Sequence, residues 1–154
     1  MTEIDRSTPP LQSLFQEVIL DHYKRPRNRG ELPDATASVH MNNPTCGDEV
    51  VLRIKLEGET IVDARFEGTG CSISQASISM MTQLLKGKST GDAIVAMRRF
   101  TEMMHGDAEA ARDKQLGDLR ALAGVSKFAA RVKCALLGWN ALEEALKEKP
   151  VSDE

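Results

Sequence analysis

Four side chains in this sequence carry the chemistry to be explained: Cys46, Asp48, Cys71 and Cys134. Cys46 and Asp48 lie in Asn43-Pro44-Thr45-Cys46-Gly47-Asp48, between two expected strands, where proline and glycine make a tight loop and a carboxylate stands two residues beyond a thiol. Cys71 follows Gly68-Thr69-Gly70 at the mouth of an expected helix, whose free N–H groups and dipole favour negative charge on the sulfur. Cys134 falls at or near the start of the last expected helix, one turn after Arg131 and beside Lys133. Zinc takes four ligands in a tetrahedron, drawn from Cys, His and carboxylate, so three thiolates and Asp48 would complete a set whose negative charge Arg131 and Lys133 could partly offset. The paired C-x-x-C spacing that signals zinc by itself is missing from the sequence. Free cysteines are also common core fillers, a reading that suits Cys134 beside Ala135-Leu136-Leu137 and suits Cys46 least. From the residues alone, one shared metal site and three unconnected thiols both stand.

Positioning these groups requires elements that the periodicity supplies. Leu11, Leu14, Phe15, Val18 and Ile19 form one stripe at helical spacing after Pro9-Pro10, and the helix runs into a basic loop, Lys24 to Arg29, bounded by Pro26 and Gly30. Val50, Leu52, Ile54 and Leu56 alternate with more polar neighbours, Gly58-Glu59 reads as a turn, and Ile61 to Glu67 alternates again, which together predict an antiparallel hairpin. Ala37 to Met41 is a candidate third strand. Ile73, Ala76, Ile78, Met80, Met81 and Leu84-Leu85 predict a buried helix closed by Gly87, with Ser72 and Gln75 as a capping box. Ser89 or Thr90 caps a further helix carrying Ile94, Val95, Met97 and Phe100. His105 to Gln115 reads as a polar surface excursion. Phe128, Val132, Ala135, Trp139, Leu142 and Leu146 then step along a long last helix that Pro150 terminates.

A chain of 154 residues suits one hydrophobic core, so a single domain over 1–154 is expected, with 1–9 and 149–154 as mobile tails. Apolar residues at 41% and charged residues at 28% argue against disorder, and a net charge of -3 argues against a nucleic-acid partner. No leader pattern follows Met1, and no window approaches the roughly 18 apolar residues of a membrane span, which points to the cytoplasm. Three cysteines in a reducing compartment are expected to serve as thiols or ligands, not as a disulfide framework. His22, His40 and His105 are read as structural, and Met80, Met81, Met103 and Met104 as core or interface filler.

Asp21-His22-Tyr23 with Pro26-Arg27-Asn28 and Gly30, Asn43-Pro44 with Cys46-Gly47-Asp48, and Gly70-Cys71-Ser72-Ile73-Ser74 with Ala76-Ser77 together resemble the IscU/NifU-like superfamily, in order, from about Leu11 to Leu146. Two features resemble its SufU branch: the 63 positions from Cys71 to Cys134, and Arg131-Val132-Lys133-Cys134 where IscU-type scaffolds carry a histidine before the last cysteine. The resemblance implies an α+β fold, a small three-stranded antiparallel sheet with helices packed on one face and the cysteine loops converging at one end. It implies Zn2+ held by Cys46, Asp48, Cys71 and Cys134, with Cys46 also the catalytic sulfur acceptor and Arg131 supporting the site or partner docking. The implied partners are a SufS-type cysteine desulfurase and downstream iron–sulfur scaffold proteins, and the implied role is a sulfurtransferase-like acceptor and activator. Because a zinc-bound thiolate is a damped nucleophile, Cys46 is expected to be released, a histidine of the desulfurase taking its place. The rival expectations are a scaffold for a [2Fe–2S] cluster on the same residues and a structural zinc module. Ala129-Ala130 departs from the proline that relatives often carry there.

Overall fold

The computed structural model describes residues 11–44 and 47–148. Helix α1 (Leu11–Lys24) leads to a meander of three strands, β1 (Ala37–Asn43), β2 (Asp48–Glu57) and β3 (Thr60–Thr69), in sheet order β1-β2-β3. Helices α2 (Ser72–Leu85) and α3 (Thr90–Met104) follow, then 3₁₀ segments at Ala110–Arg112 and Lys114–Lys127, and finally α4 (Ala129–Glu148). Both strand pairs are antiparallel, and the two-residue link Gly58-Glu59 turns β2 into β3 with Gly58 at φ 62°, a conformation that glycine adopts without a Cβ penalty. The expected α+β class, with three antiparallel strands, is what the chain adopts.

Alternation decides which face of the sheet is buried. Val39 pairs with Leu52, Leu52 with Phe66 and Ile54 with Ala64, and all of these side chains are buried, whereas Ser38, His40 and Glu49 on the other face are exposed. Helices α2 and α4 cover the inner face with Ala76, Ile78, Met80, Met81, Ala135 and Leu142, and Phe100 of α3 stacks on Trp139 at 5.3 Å between ring centroids. Met80, Met81, Met103 and Met104 are all core residues.

The expected basic loop follows α1, where Arg25 and Arg27 bind Asp21, Arg29 donates to the Gly68 carbonyl, and Asn28 links to Phe66, Thr82 and Lys86. Two local expectations need correction. Ser72 and Gln75 do not form a capping box, because the N-cap of α2 is Cys71 and no side chain caps it among the described residues. Ser89 is the cap of α3, accepting from the Asp92 amide. Phe128 lies outside the last helix, with extended backbone (φ -126°, ψ 98°), and is 61% exposed instead of joining the apolar stripe. The tails and Pro150 fall outside the described residues.

The stretch from His105 to Gln115, expected as a polar surface excursion, is exposed from His105 to Glu109 and at Arg112, Lys114 and Gln115, but buried structure interrupts and follows it. Ala110 is buried, and beyond it Leu116, Leu119, Leu122 and Val125 are buried at every third position, the repeat of a 3₁₀ helix. Asp113 joins the two 3₁₀ segments to α3: it accepts from the Gln115 amide at 2.9 Å and from Arg99 Nε at 3.0 Å. The Gln115 N–H and then the Arg99 guanidinium hold the Asp113 carboxyl below its ordinary 3.8. A carboxyl lowered by folding stabilises the fold above its unfolded value and loses that contribution as pH falls below it. Asp113→Asn is therefore expected to lower the urea midpoint at pH 7, with the gap to wild type narrowing as pH drops below 3.8. A gap that stays constant across this range would contradict the assignment.

Candidate metal and sulfur site

Three of the four residues singled out in the sequence meet at one end of the sheet. Asp48 opens β2, pairs across to Asn43 on β1 and is 1% exposed. Cys71 follows the end of β3 as N-cap of α2, with φ -74° and ψ 166°, and is half-buried. Cys134 lies in the second turn of α4, fully buried, its thiol 3.6 Å from the Ala130 carbonyl. One donor atom from each of Asp48, Cys71 and Cys134 lies within 4.8 Å of the others. Cys46 lies outside the described residues. Arg131 is exposed in the first turn of α4, as is Lys133 just before the buried thiol.

Hydrogen bonds explain why the carboxylate and the first thiol stay together. The Cys71 amide donates to Asp48 Oδ1 at 2.8 Å, and Cys71 Sγ lies 3.8 Å from Asp48 Oδ2. A tetrahedral ion with metal–sulfur bonds of about 2.3 Å and a metal–oxygen bond of about 2.1 Å sets sulfur and oxygen about 3.6 Å apart, so the donor set fits such an ion with little movement. Soft thiolates beside one carboxylate suit zinc, and thiolates equally suit an iron–sulfur cluster.

The second thiol is placed by contacts that the sequence reading did not single out. Ser77 Oγ, fully buried in α2, donates to the Ala135 carbonyl at 2.7 Å, next in sequence to Cys134. Gly138, one turn after Cys134, lets α4 approach α2 so closely that a Cβ there would lie 3.0 Å from Ile78 Cβ and Cγ1. The signal that could have marked this position is a glycine inside an otherwise strong helical pattern.

His22 is fully buried and joins three elements. The Arg27 amide donates to Ser79 Oγ, which leaves the Ser79 hydroxyl hydrogen for His22 Nδ1 at 2.8 Å. His22 Nε2–H then donates to Asp118 Oδ2 at 2.8 Å, pinning the 3₁₀ run to α1 and α2. The structural reading of this histidine agrees with its place, away from the three-ligand cluster of Asp48, Cys71 and Cys134.

A thiol-and-carboxylate cluster at the end of a three-stranded sheet, backed by helices, marks this as a small α+β domain with a candidate metal site. The profile of the NifU-like N terminal domain matches residues 14–135, and the chain belongs to that family. The zinc-dependent sulfurtransferase SufU of Bacillus subtilis (strain 168) is 52% identical over 139 residues, covering 90% of this chain and 93% of that protein. The iron–sulfur cluster assembly scaffold protein IscU of Streptococcus pyogenes serotype M1 is 47% identical over 137 residues, covering 89% and 85%. The crystal structure of a hypothetical protein superposes with a TM-score of 0.83 at 46% identity, covering 89% of this chain and 99% of that one. No helix of the described residues is long and apolar enough to cross a membrane.

Proposed function

We propose that this chain is a zinc-dependent sulfur acceptor, taking persulfide sulfur from a SufS-type cysteine desulfurase onto Cys46 for delivery to downstream iron–sulfur scaffold proteins in the cytoplasm. The observation that carries the reading is the meeting of Asp48, Cys71 and Cys134 within 4.8 Å at the end of the sheet. Cys46 stands two residues before Asp48 in the sequence, which supports assigning it to the same set. The similarity to a zinc-dependent sulfurtransferase along 90% of the chain supports the same activity.

When bound, zinc keeps the sulfurs deprotonated; Asp48, Cys71 and Cys134 are the residues that would hold it together with Cys46. In the transfer itself, the free Cys46 thiolate attacks the terminal sulfur of the partner's persulfide. A new sulfur–sulfur bond forms on Cys46, the partner's sulfur–sulfur bond breaks, and the electron pair leaves on the partner's cysteine thiolate, so no outside oxidant or reductant is needed. Arg131 and Lys133, exposed beside the buried Cys134, supply positive charge where an anionic persulfide arrives.

The similarity to an IscU scaffold favours a second reading, in which the same residues carry a [2Fe–2S] cluster. Metal analysis of protein purified without oxygen separates the two. The expected result is about one zinc per chain in the wild type and at least a tenfold loss of zinc affinity in Asp48→Ala, Cys71→Ser and Cys134→Ser. Iron with acid-labile sulfide in place of zinc would establish the scaffold reading, and full zinc retention in all three variants would refute the site.

A further inference from the structure

We infer that Gly70 is a positioning residue that fixes which oxygen of Asp48 faces the sulfurs; this rests on the metal-binding reading above. The two carboxylate oxygens have different occupations. Oδ1 accepts the Cys71 amide at 2.8 Å, whereas Oδ2 is the oxygen 3.8 Å from Cys71 Sγ. Asp48 is 1% exposed, so water has little access to its oxygens. Turning both oxygens toward one ion would take the acceptor from the part-buried Cys71 N–H, so the carboxylate offers one oxygen only.

Residue 70 decides whether this arrangement exists. Its backbone sits at φ 153°, and a Cβ there would lie 2.4 Å from Asp48 Oδ1, 3.0 Å from Asp48 Cγ and 2.8 Å from Ser74 Oγ. Ser74 cannot yield easily, since it is 1% exposed, donates to the Cys71 carbonyl and accepts from Gln75 Nε2. A methyl group at 70 would therefore drive the carboxylate off the Cys71 amide. Gly70, which offers no donor atom of its own, thereby behaves as though it were part of the ligand set.

Hydrogen exchange of the Cys71 amide, followed by NMR in metal-free protein, reads this bond directly. Asp48→Asn keeps a carbonyl oxygen for the amide and should keep Cys71 protected, while Asp48→Ala and Gly70→Ala should each lose at least tenfold protection. Zinc affinity, measured by competition with a chromophoric chelator, should fall at least tenfold in Gly70→Ala and in Asp48→Asn alike. Gly70→Ala should also lower the melting temperature of metal-free protein less in an Asp48→Ala background than in wild type, since the main clash is then gone. Cys71 exchange indifferent to residue 48, or wild-type zinc affinity in folded Gly70→Ala, overturns the inference; the Asp48 pair alone decides it where Gly70→Ala does not fold. A wild type that takes up no zinc would instead count against the metal-binding reading, leaving the exchange pattern to settle where the carboxylate sits.

Discussion

Cys46→Ala is expected to abolish sulfur acceptance, lowering desulfurase stimulation at least 100-fold toward the rate of the desulfurase alone and leaving no persulfide adduct on the carrier by mass spectrometry. The magnitude follows from the chemistry, since the attacking species must be a thiolate and alanine offers no nucleophile at all. Cys71 and Cys134 are poor substitutes. Cys134 is fully buried, and Cys71 is half-buried with its sulfur 3.8 Å from Asp48 Oδ2, so neither thiol is freely presented to a partner's persulfide. Cys46→Ser sharpens the experiment: an alkoxide is inaccessible at neutral pH, so serine should be as inactive as alanine while disturbing the loop less. Stimulation that survives both substitutions would return the chain to the structural zinc module, for which metal removal unfolds the protein and leaves desulfurase turnover untouched.

Gly138→Ala is expected to destabilise the protein by about 1–3 kcal/mol and to weaken metal binding although residue 138 offers no ligand atom. Two effects oppose each other at this position. Alanine in place of glycine inside a helix is intrinsically favourable by roughly 0.5–1 kcal/mol. Against that, the added Cβ would sit 3.0 Å from Ile78 Cβ and Cγ1 and 3.2 Å from Cδ1. Ile78 is β-branched and sits in a helix, where one χ1 rotamer dominates, and it is fully buried, so it has nowhere to swing. Steric crowding wins, and the midpoint of thermal unfolding should drop by several degrees. Because Cys134 shares a helix face with Gly138 one turn away, pushing α4 off α2 also moves its sulfur from Asp48 and Cys71. Combining Gly138→Ala with Ile78→Ala should cost less than the sum of the two single changes. Simple additivity in that cycle, or an increase in stability from Gly138→Ala alone, would show that the helices are not in limiting contact.

The sheet was readable from the chain because its period is two and its turn chemistry is local: Val50 to Leu56, the Gly58-Glu59 link and Ile61 to Glu67 reappear as β2 and β3. The site was readable in a different way. Nothing in the spacing of Cys71 and Cys134 says that they meet; the resemblance of three separated motifs carried that expectation, and the approach of their elements depends on Ser77 and Gly138. The run from Lys114 to Lys127 escaped the reading because its apolar residues repeat every three positions, and Gly117 at φ 57° and ψ -131° interrupts it. A search for periods of 3.6 and 2 passes over such a run. Phe128 misled for the opposite reason, since its spacing extends the α4 stripe while its backbone has not yet entered the helix.

The anchoring of that 3₁₀ run has a consequence for ligand recruitment. A limp tether across the 63 positions from Cys71 to Cys134 would present the last thiol at an effective concentration in about the millimolar range or lower. With Asp118 fastened to His22, and Leu116, Leu119 and Leu122 sunk into the core, the intervening chain is held by contacts that involve no ligand residue. Part of the entropy of gathering Cys134 to the site is thus met by packing and hydrogen bonds of the intervening chain, not by the bonds of Cys134 to an ion.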